Sequence, residues 1–149
     1  MVALLAPPAE ATRPKLLVID DDPLFRTLCS GALRDTYETD VAADGHTGVK
    51  LAIEQQPGVI ILDLLMPVWD GRKALRAIRA AASLEATAVL VLTSDRDTDA
   101  DELVAEGADA VLSKLNFSRD RLVDAVRTLQ PATGNRVRRE AKRVVPVMG

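Results

Sequence analysis

Five short apolar runs, each followed by a helix-length segment, confine this chain to an alternating α/β architecture. The runs are Lys15 to Asp20, Tyr37 to Ala43, Val59 to Leu62, Ala86 to Thr93 and Ala110 to Ser113. All are short, and most are rich in Val, Ile and Leu without polar alternation, as strands buried on both faces are. Parallel strands need crossover connections of roughly a dozen residues, and these wind right-handed. The expectation is an α/β domain: a five-stranded parallel sheet with helices on both faces.

Helices are expected at Pro23 to Thr36, Asp44 to Gln56, Gly71 to Ala82, Asp97 to Glu106 and Ser118 to Gln130. The first has a strong start, with Asp22 as N-cap and Pro23 at the first helical position. Its apolar stripe reads Leu24, Leu28, Cys29, Ala32 and Leu33. Pro57-Gly58 closes the second helix, and Gly107 closes the fourth at a C-cap position. Pro131 marks the end of the domain.

A chain of 149 residues, 48% hydrophobic and 28% charged, suits one soluble domain. The expected division is a disordered leader at 1–13, a domain at 14–130 and a basic tail at 131–149. The leader, MVALLAPPAEATRP, lacks the basic start and the apolar length of a signal peptide. Cys29 is the only cysteine, which excludes an internal disulfide and a cysteine metal cluster. Set among apolar residues, it reads as a small buried hydrophobe. A cytoplasmic location fits.

The net charge of −3 conceals an asymmetry. Five basic residues after Pro131, against Glu140 alone, leave the tail at +4 and the remainder at −7. An acidic body argues against a nucleic-acid-binding domain. The tail reads as either a short amphipathic helix or a disordered arm that affects partner choice.

Chemistry gathers at the ends of the strands. Asp20, Asp21 and Asp22 follow KLLVI, Asp63 follows VIIL, Thr93 and Ser94 follow AVLVL, and Lys114 follows AVLS. Ligands of open parallel sheets bind at this carboxyl-terminal edge. Taken singly, each group has a structural explanation: a cap, a strand end or a solvated lysine. Together and in this order, they point to a site. Three carboxylates at one point require a cation. Oxygen-only ligation favours Mg²⁺, with Mn²⁺ as an alternative. A carboxylate can itself take a phosphoryl group, and Asp63, alone at the end of a central strand, is best placed. The metal, Lys114 and Thr93 would stabilise the charge on the phosphoryl oxygens.

LLVIDDDP, ILDLLMPVWDG, VLVLTS and GADAVLSK resemble the response regulator receiver domain of two-component signalling, over about residues 14 to 130. The resemblance implies a flavodoxin-like fold of strand order 2-1-3-4-5, an order not read from the residues themselves. It also implies that Asp63 accepts a phosphoryl group from a histidine kinase or phosphotransfer protein. Asp21 would be a direct Mg²⁺ ligand, Asp20 would act mainly through water, and the Leu65 backbone carbonyl would add a ligand. Thr93, with Ser94 beside it, and Lys114 would bind the phosphoryl oxygens. Such domains lose the phosphoryl group by their own hydrolysis and are switches rather than enzymes. The implied partners are the phosphodonor and an unknown downstream protein, with the chain a monomer or weak dimer. The 19 residues after Gln130 are too few for a DNA-binding domain, and no apolar run approaches the roughly 20 residues of a membrane span.

The chain departs from the family pattern at three places. Val111 stands where relatives carry an aromatic switch residue, and Leu115 where proline usually follows the lysine. The segment from Thr93 to Gly107 is short and acidic, which suits either a basic partner or a merely solvated helix. Leu65, two residues after the acceptor, would shield an acyl phosphate from water. Two other functions compete: a receiver-like docking scaffold, and a Mg²⁺-dependent phosphatase with an aspartate nucleophile. Leu65 stands where such a phosphatase needs a second acid. His46 reads as a surface residue, and Trp69 as exposed loop packing.

Overall fold

The computed structural model describes residues 13–129 and a terminal strand at 145–148. In chain order the elements are β1 (Lys15–Ile19), α1 (Pro23–Leu33), β2 (Glu38–Ala42), α2 (Gly45–Gln55), β3 (Val59–Asp63) and α3 (Gly71–Ala80). They continue with β4 (Ala88–Thr93), α4 (Ala100–Glu106), β5 (Ala110–Ser113), α5 (Arg119–Leu129) and β6 (Val145–Met148). Single 3-10 turns follow α3 and β5, at Ala82–Leu84 and Lys114–Asn116. The leader and most of the basic tail lie outside the described residues.

The sheet is parallel throughout, in the order β2-β1-β3-β4-β5-β6. Its first five strands follow the expected arrangement. The sixth is an addition: VPVM pairs beside β5, Ala110 opposite Val145 and Leu112 opposite Met148, with an irregular register between them. A four-residue run containing proline carries too weak a strand signal to be read from sequence.

Alternate residues of each strand feed two separate cores. Leu17, Ile19, Ile60, Leu62, Val89, Val91 and Val111 meet the apolar residues of α2, α3 and α4 on one face. On the other, Leu16, Val18, Ile61, Leu90, Leu92 and Leu112 meet Cys29 and Leu33 of α1 and Leu122, Ala125 and Val126 of α5. Both faces are covered, which explains why the strand sequences lack a polar phase.

Helix α1 corrects one expectation. Leu24 and Leu28 are exposed, at 60% and 40%, while Phe25, Cys29 and Leu33 face inward. The inward stripe is rotated by one residue, because Phe25 reaches across to Phe117, just before α5. Cys29 is buried as expected, and burial, with the charge of Asp20, pushes its thiol up to about 12. It is chemically inert.

Many of the acids serve the fold. Asp22, Asp44, Asp70 and Asp99 cap α1, α2, α3 and α4, each accepting a backbone N–H of the first turn. Asp95 accepts from the Asp97 N–H and the Thr98 hydroxyl, while Glu102 and Glu106 pair with Arg72 of α3. Much of the acidity around α4 is therefore answered within the domain, which weakens its reading as a surface for a basic partner.

Candidate functional site

Register places the site. Ile19 is paired with Leu62, Asp63 with Leu92, and Thr93 with Ser113. The next residues in line, Asp20 and Lys114, therefore emerge beside Asp63 at the carboxyl edge. Asp20 N–H donates to the Ala42 carbonyl at 3.1 Å, and Leu64 N–H to that of Leu92 at 3.0 Å, so both strand ends are fastened beyond the ladder.

Asp20 and Asp63 are buried, whereas Asp21 is exposed at the rim. One carboxylate oxygen from each lies within 4.8 Å of the others. The Lys114 ammonium reaches Asp20 Oδ2 at 2.8 Å and Asp63 Oδ1 at 3.3 Å, its side chain only 10% exposed. Asp20 Oδ1 accepts the Asp22 N–H at 2.9 Å, and Arg26 donates to the Asp20 carbonyl at 2.8 Å. Asp63 Oδ1 also accepts the Leu65 N–H at 3.3 Å.

This crowding changes the acidities. Burial and the charge of Asp20 push the Asp63 carboxyl up to about 7, although Lys114 opposes the rise. Burial alone would lower the Lys114 ammonium, but its hydrogen bond to Asp20 and the charge of Asp63 hold it above its ordinary range. One cation thus faces two buried acids.

The donor set fits a small hard cation. Beyond the ammonium, no donor among the described residues satisfies buried Asp20 Oδ2. The three carboxylates offer oxygen only, and one opens to solvent, as an ion retaining several waters requires.

The loop after β3 is anchored by Gly71. Its N–H donates to the Leu64 carbonyl at 2.8 Å. A Cβ there would press on the Asp63 carbonyl oxygen and stand 2.5 Å from Leu64 Cα. Both obstacles are backbone, so Gly71→Ala is expected to destabilise the fold by about 1–3 kcal/mol. Chemical denaturation measures this, and an unchanged midpoint would contradict the close approach. In the same loop, Val68 is fully exposed at φ 67°, a costly conformation for a β-branched residue.

The remaining candidates sit around this centre. Thr93 is buried at the end of β4, its hydroxyl oxygen accepting the Asp95 N–H at 3.0 Å, and no hydrogen bond joins it to the carboxylates. Ser94 is exposed beside it. Leu65 is half exposed next to Asp63. Val111 is buried among the α2–α4 core, away from the carboxylates, and Leu115 lies exposed in the 3-10 turn after β5. No cis peptide bond occurs among the described residues. Trp69 is half-buried rather than exposed: His46 meets it edge-on at 5.5 Å, and the Lys73 ammonium lies 4.7 Å above its ring.

Residues 16–127 match the family model described as the response regulator receiver domain. The chain belongs to the response regulator receiver family. Among curated relatives, the transcriptional regulatory protein AfsQ1 of Streptomyces coelicolor is 36% identical over 104 residues, covering 68% of this chain and 44% of its own. The chain spans about half the length of the first curated relatives it matches. Among solved structures, the chemotaxis response regulator CheY4 of Vibrio cholerae superposes with a TM-score of 0.72 at 31% identity, covering 79% of this receiver and 99% of that chain. The receiver domain of the sensor histidine kinase PA1611 from Pseudomonas aeruginosa, described with a magnesium ion in its active-site cleft, gives 0.69 at 28% identity, covering 76% and 94%. No helix among the described residues of this receiver is long and apolar enough to cross a membrane.

Sequence reasoning missed Phe25, whose ring lies 4.3 Å from the Lys114 ammonium. The available signal was its place four residues before Cys29 on α1, one turn from the buried stripe.

Proposed function

We propose that this receiver is a phosphoacceptor switch in which Asp63 takes a phosphoryl group from the phosphohistidine of a histidine kinase or phosphotransfer protein. A carboxylate oxygen of Asp63 attacks phosphorus in line. The new O–P bond forms as the P–N bond breaks, and the electron pair stays on the departing imidazole nitrogen, which takes up a proton from solvent. The observation that carries this reading is the shared ammonium: Lys114 lies between Asp20 and Asp63, with Asp21 beside them.

Each residue has a task in this scheme. Asp63 must be ionised to attack, and because burial and Asp20 make its carboxyl hold its proton more tightly, positive charge at the site helps to expel that proton. Asp20, Asp21 and Asp63, with the Leu65 carbonyl, would hold Mg²⁺ or Mn²⁺, which when bound neutralises crowded negative oxygens. The magnesium in the cleft of the PA1611 receiver domain supports that choice. Lys114 would pass from Asp63 Oδ1 to a phosphoryl oxygen. Thr93, releasing the Asp95 N–H, would turn its hydroxyl to another, with Ser94 alongside. Hydrolysis of the acyl phosphate then resets the switch, and the two states select different protein partners.

Incubation with Mg²⁺ and acetyl phosphate, followed by intact mass measurement, tests the proposal. The wild type is expected to gain one phosphoryl group and Asp63→Asn none. Modification of both proteins would refute Asp63 as the acceptor, and modification of neither would refute the function.

A further inference from the structure

Lys114 has a third neighbour that the phosphoryl chemistry does not use. Its ammonium lies 4.3 Å from the centroid of the Phe25 ring on α1. The same short segment returns to that ring: Phe117, three residues after Lys114, meets Phe25 edge-on at 5.3 Å and 86°. Phe117 N–H donates to the Lys114 carbonyl at 3.3 Å, closing the turn between the two contacts. Phe25 is therefore held from two sides by one turn of the chain, where α1 meets α5.

We propose that Phe25 is a positioning residue for Lys114, and that the Lys114–Phe25–Phe117 cluster carries the state of Asp63 to the α1–α5 face. The inference rests on the phosphoacceptor reading of Asp63. A cation over an aromatic face is attracted by the ring quadrupole, more strongly when the cation is largely buried, as the Lys114 side chain is at 10% exposure. The ring thereby restricts where a long, flexible side chain can place its charge. A phosphoryl group on Asp63 draws the ammonium toward its oxygens. Any such movement changes the contact with Phe25, and Phe25 cannot shift without disturbing Phe117. The other side of the sheet offers no matching route through β5, because Val111 is a small, rigid side chain locked in the α2–α4 core.

Phe25 and Phe117 are the only phenylalanines in the chain, so the cluster can be observed selectively. The experiment labels the full chain with para-fluorophenylalanine and records fluorine NMR before and after Mg²⁺ and acetyl phosphate. Phe117→Leu and Phe25→Leu assign the two resonances, and intact mass reports phosphoryl incorporation in the same samples. Both resonances are expected to move with incorporation and to return on hydrolysis. Phe25→Leu is expected to slow incorporation about threefold to tenfold, and Phe25→Tyr, which keeps an aromatic face, to restore it. Full incorporation with both resonances unmoved, or Phe25→Leu reacting as fast as wild type, would overturn the inference alone. Absence of incorporation in the wild type would overturn the phosphoacceptor reading, and this inference with it.

Discussion

Asp63→Asn is expected to raise the thermal midpoint of the metal-free protein above about pH 7, with the gain vanishing below about pH 4. The folded carboxyl, pushed from 3.8 to about 7 by burial and by Asp20, binds its proton more tightly than the unfolded one. Between those values the folded state holds more protons, so wild-type stability falls as pH rises. Once ionised, the side chain opposes folding by an amount on the order of a few kcal/mol. Asparagine removes that opposition, and Lys114 keeps Asp20 as its partner. Added Mg²⁺ is expected to raise the midpoint of the wild type more than that of Asp63→Asn. Thermal melts across pH, with and without the ion, measure both effects, and a variant less stable at neutral pH would contradict the repulsion argued for this site.

Arg79→Met is expected to destabilise the fold by about 3–5 kcal/mol, through the opposite end of the sheet. Arg79 of α3 is nearly buried and donates to Asp109 Oδ2 at 2.9 Å, the Gly107 carbonyl at 2.8 Å and the Thr87 carbonyl at 2.9 Å. Asp109 in turn accepts the Val89 N–H at 2.8 Å, which ties β4 to the start of β5. Removing the guanidinium takes away the 2.9 Å ion pair of a buried carboxylate and the donor of two backbone carbonyls. Arg79→Lys is expected to recover only part of the loss, because an ammonium cannot serve three acceptors spread in this way. Denaturant midpoints compare the three proteins, and a change below about 1 kcal/mol for Arg79→Met would show the cluster to be peripheral. Gly107 shares this corner at φ 121°, where a side chain would collide with Arg79.

The periodic parts of the chain were legible because burial on both faces leaves a strand no polar phase. The grouping of the candidate residues was legible because Asp63 and Thr93 end strands while Asp20, Asp21 and Lys114 follow them, so parallel topology delivers them to one edge. What escaped depends on contacts between distant segments. The face that α1 turns inward follows from Phe25 meeting Phe117, a pairing that spacing along one helix cannot reveal. Arg79 carries no sequence feature that sets it apart from other helical cations, although Asp109 inside the apolar GADAVLS is a sign that some buried cation must answer it. The acids around α4 invited an electrostatic reading, yet Asp95 and Asp99 are occupied with local turns. Pro146 hid β6, since proline ordinarily disqualifies a strand except at a border.

That border has a consequence for how the molecule behaves in company. The outermost strand of any sheet invites foreign backbones to add themselves on. Beyond β5 the place is already taken by VPVM, whose proline has no amide hydrogen to give. At the far side, β2 displays Glu38 and Asp40. Fibril-like stacking through either flank is thereby discouraged.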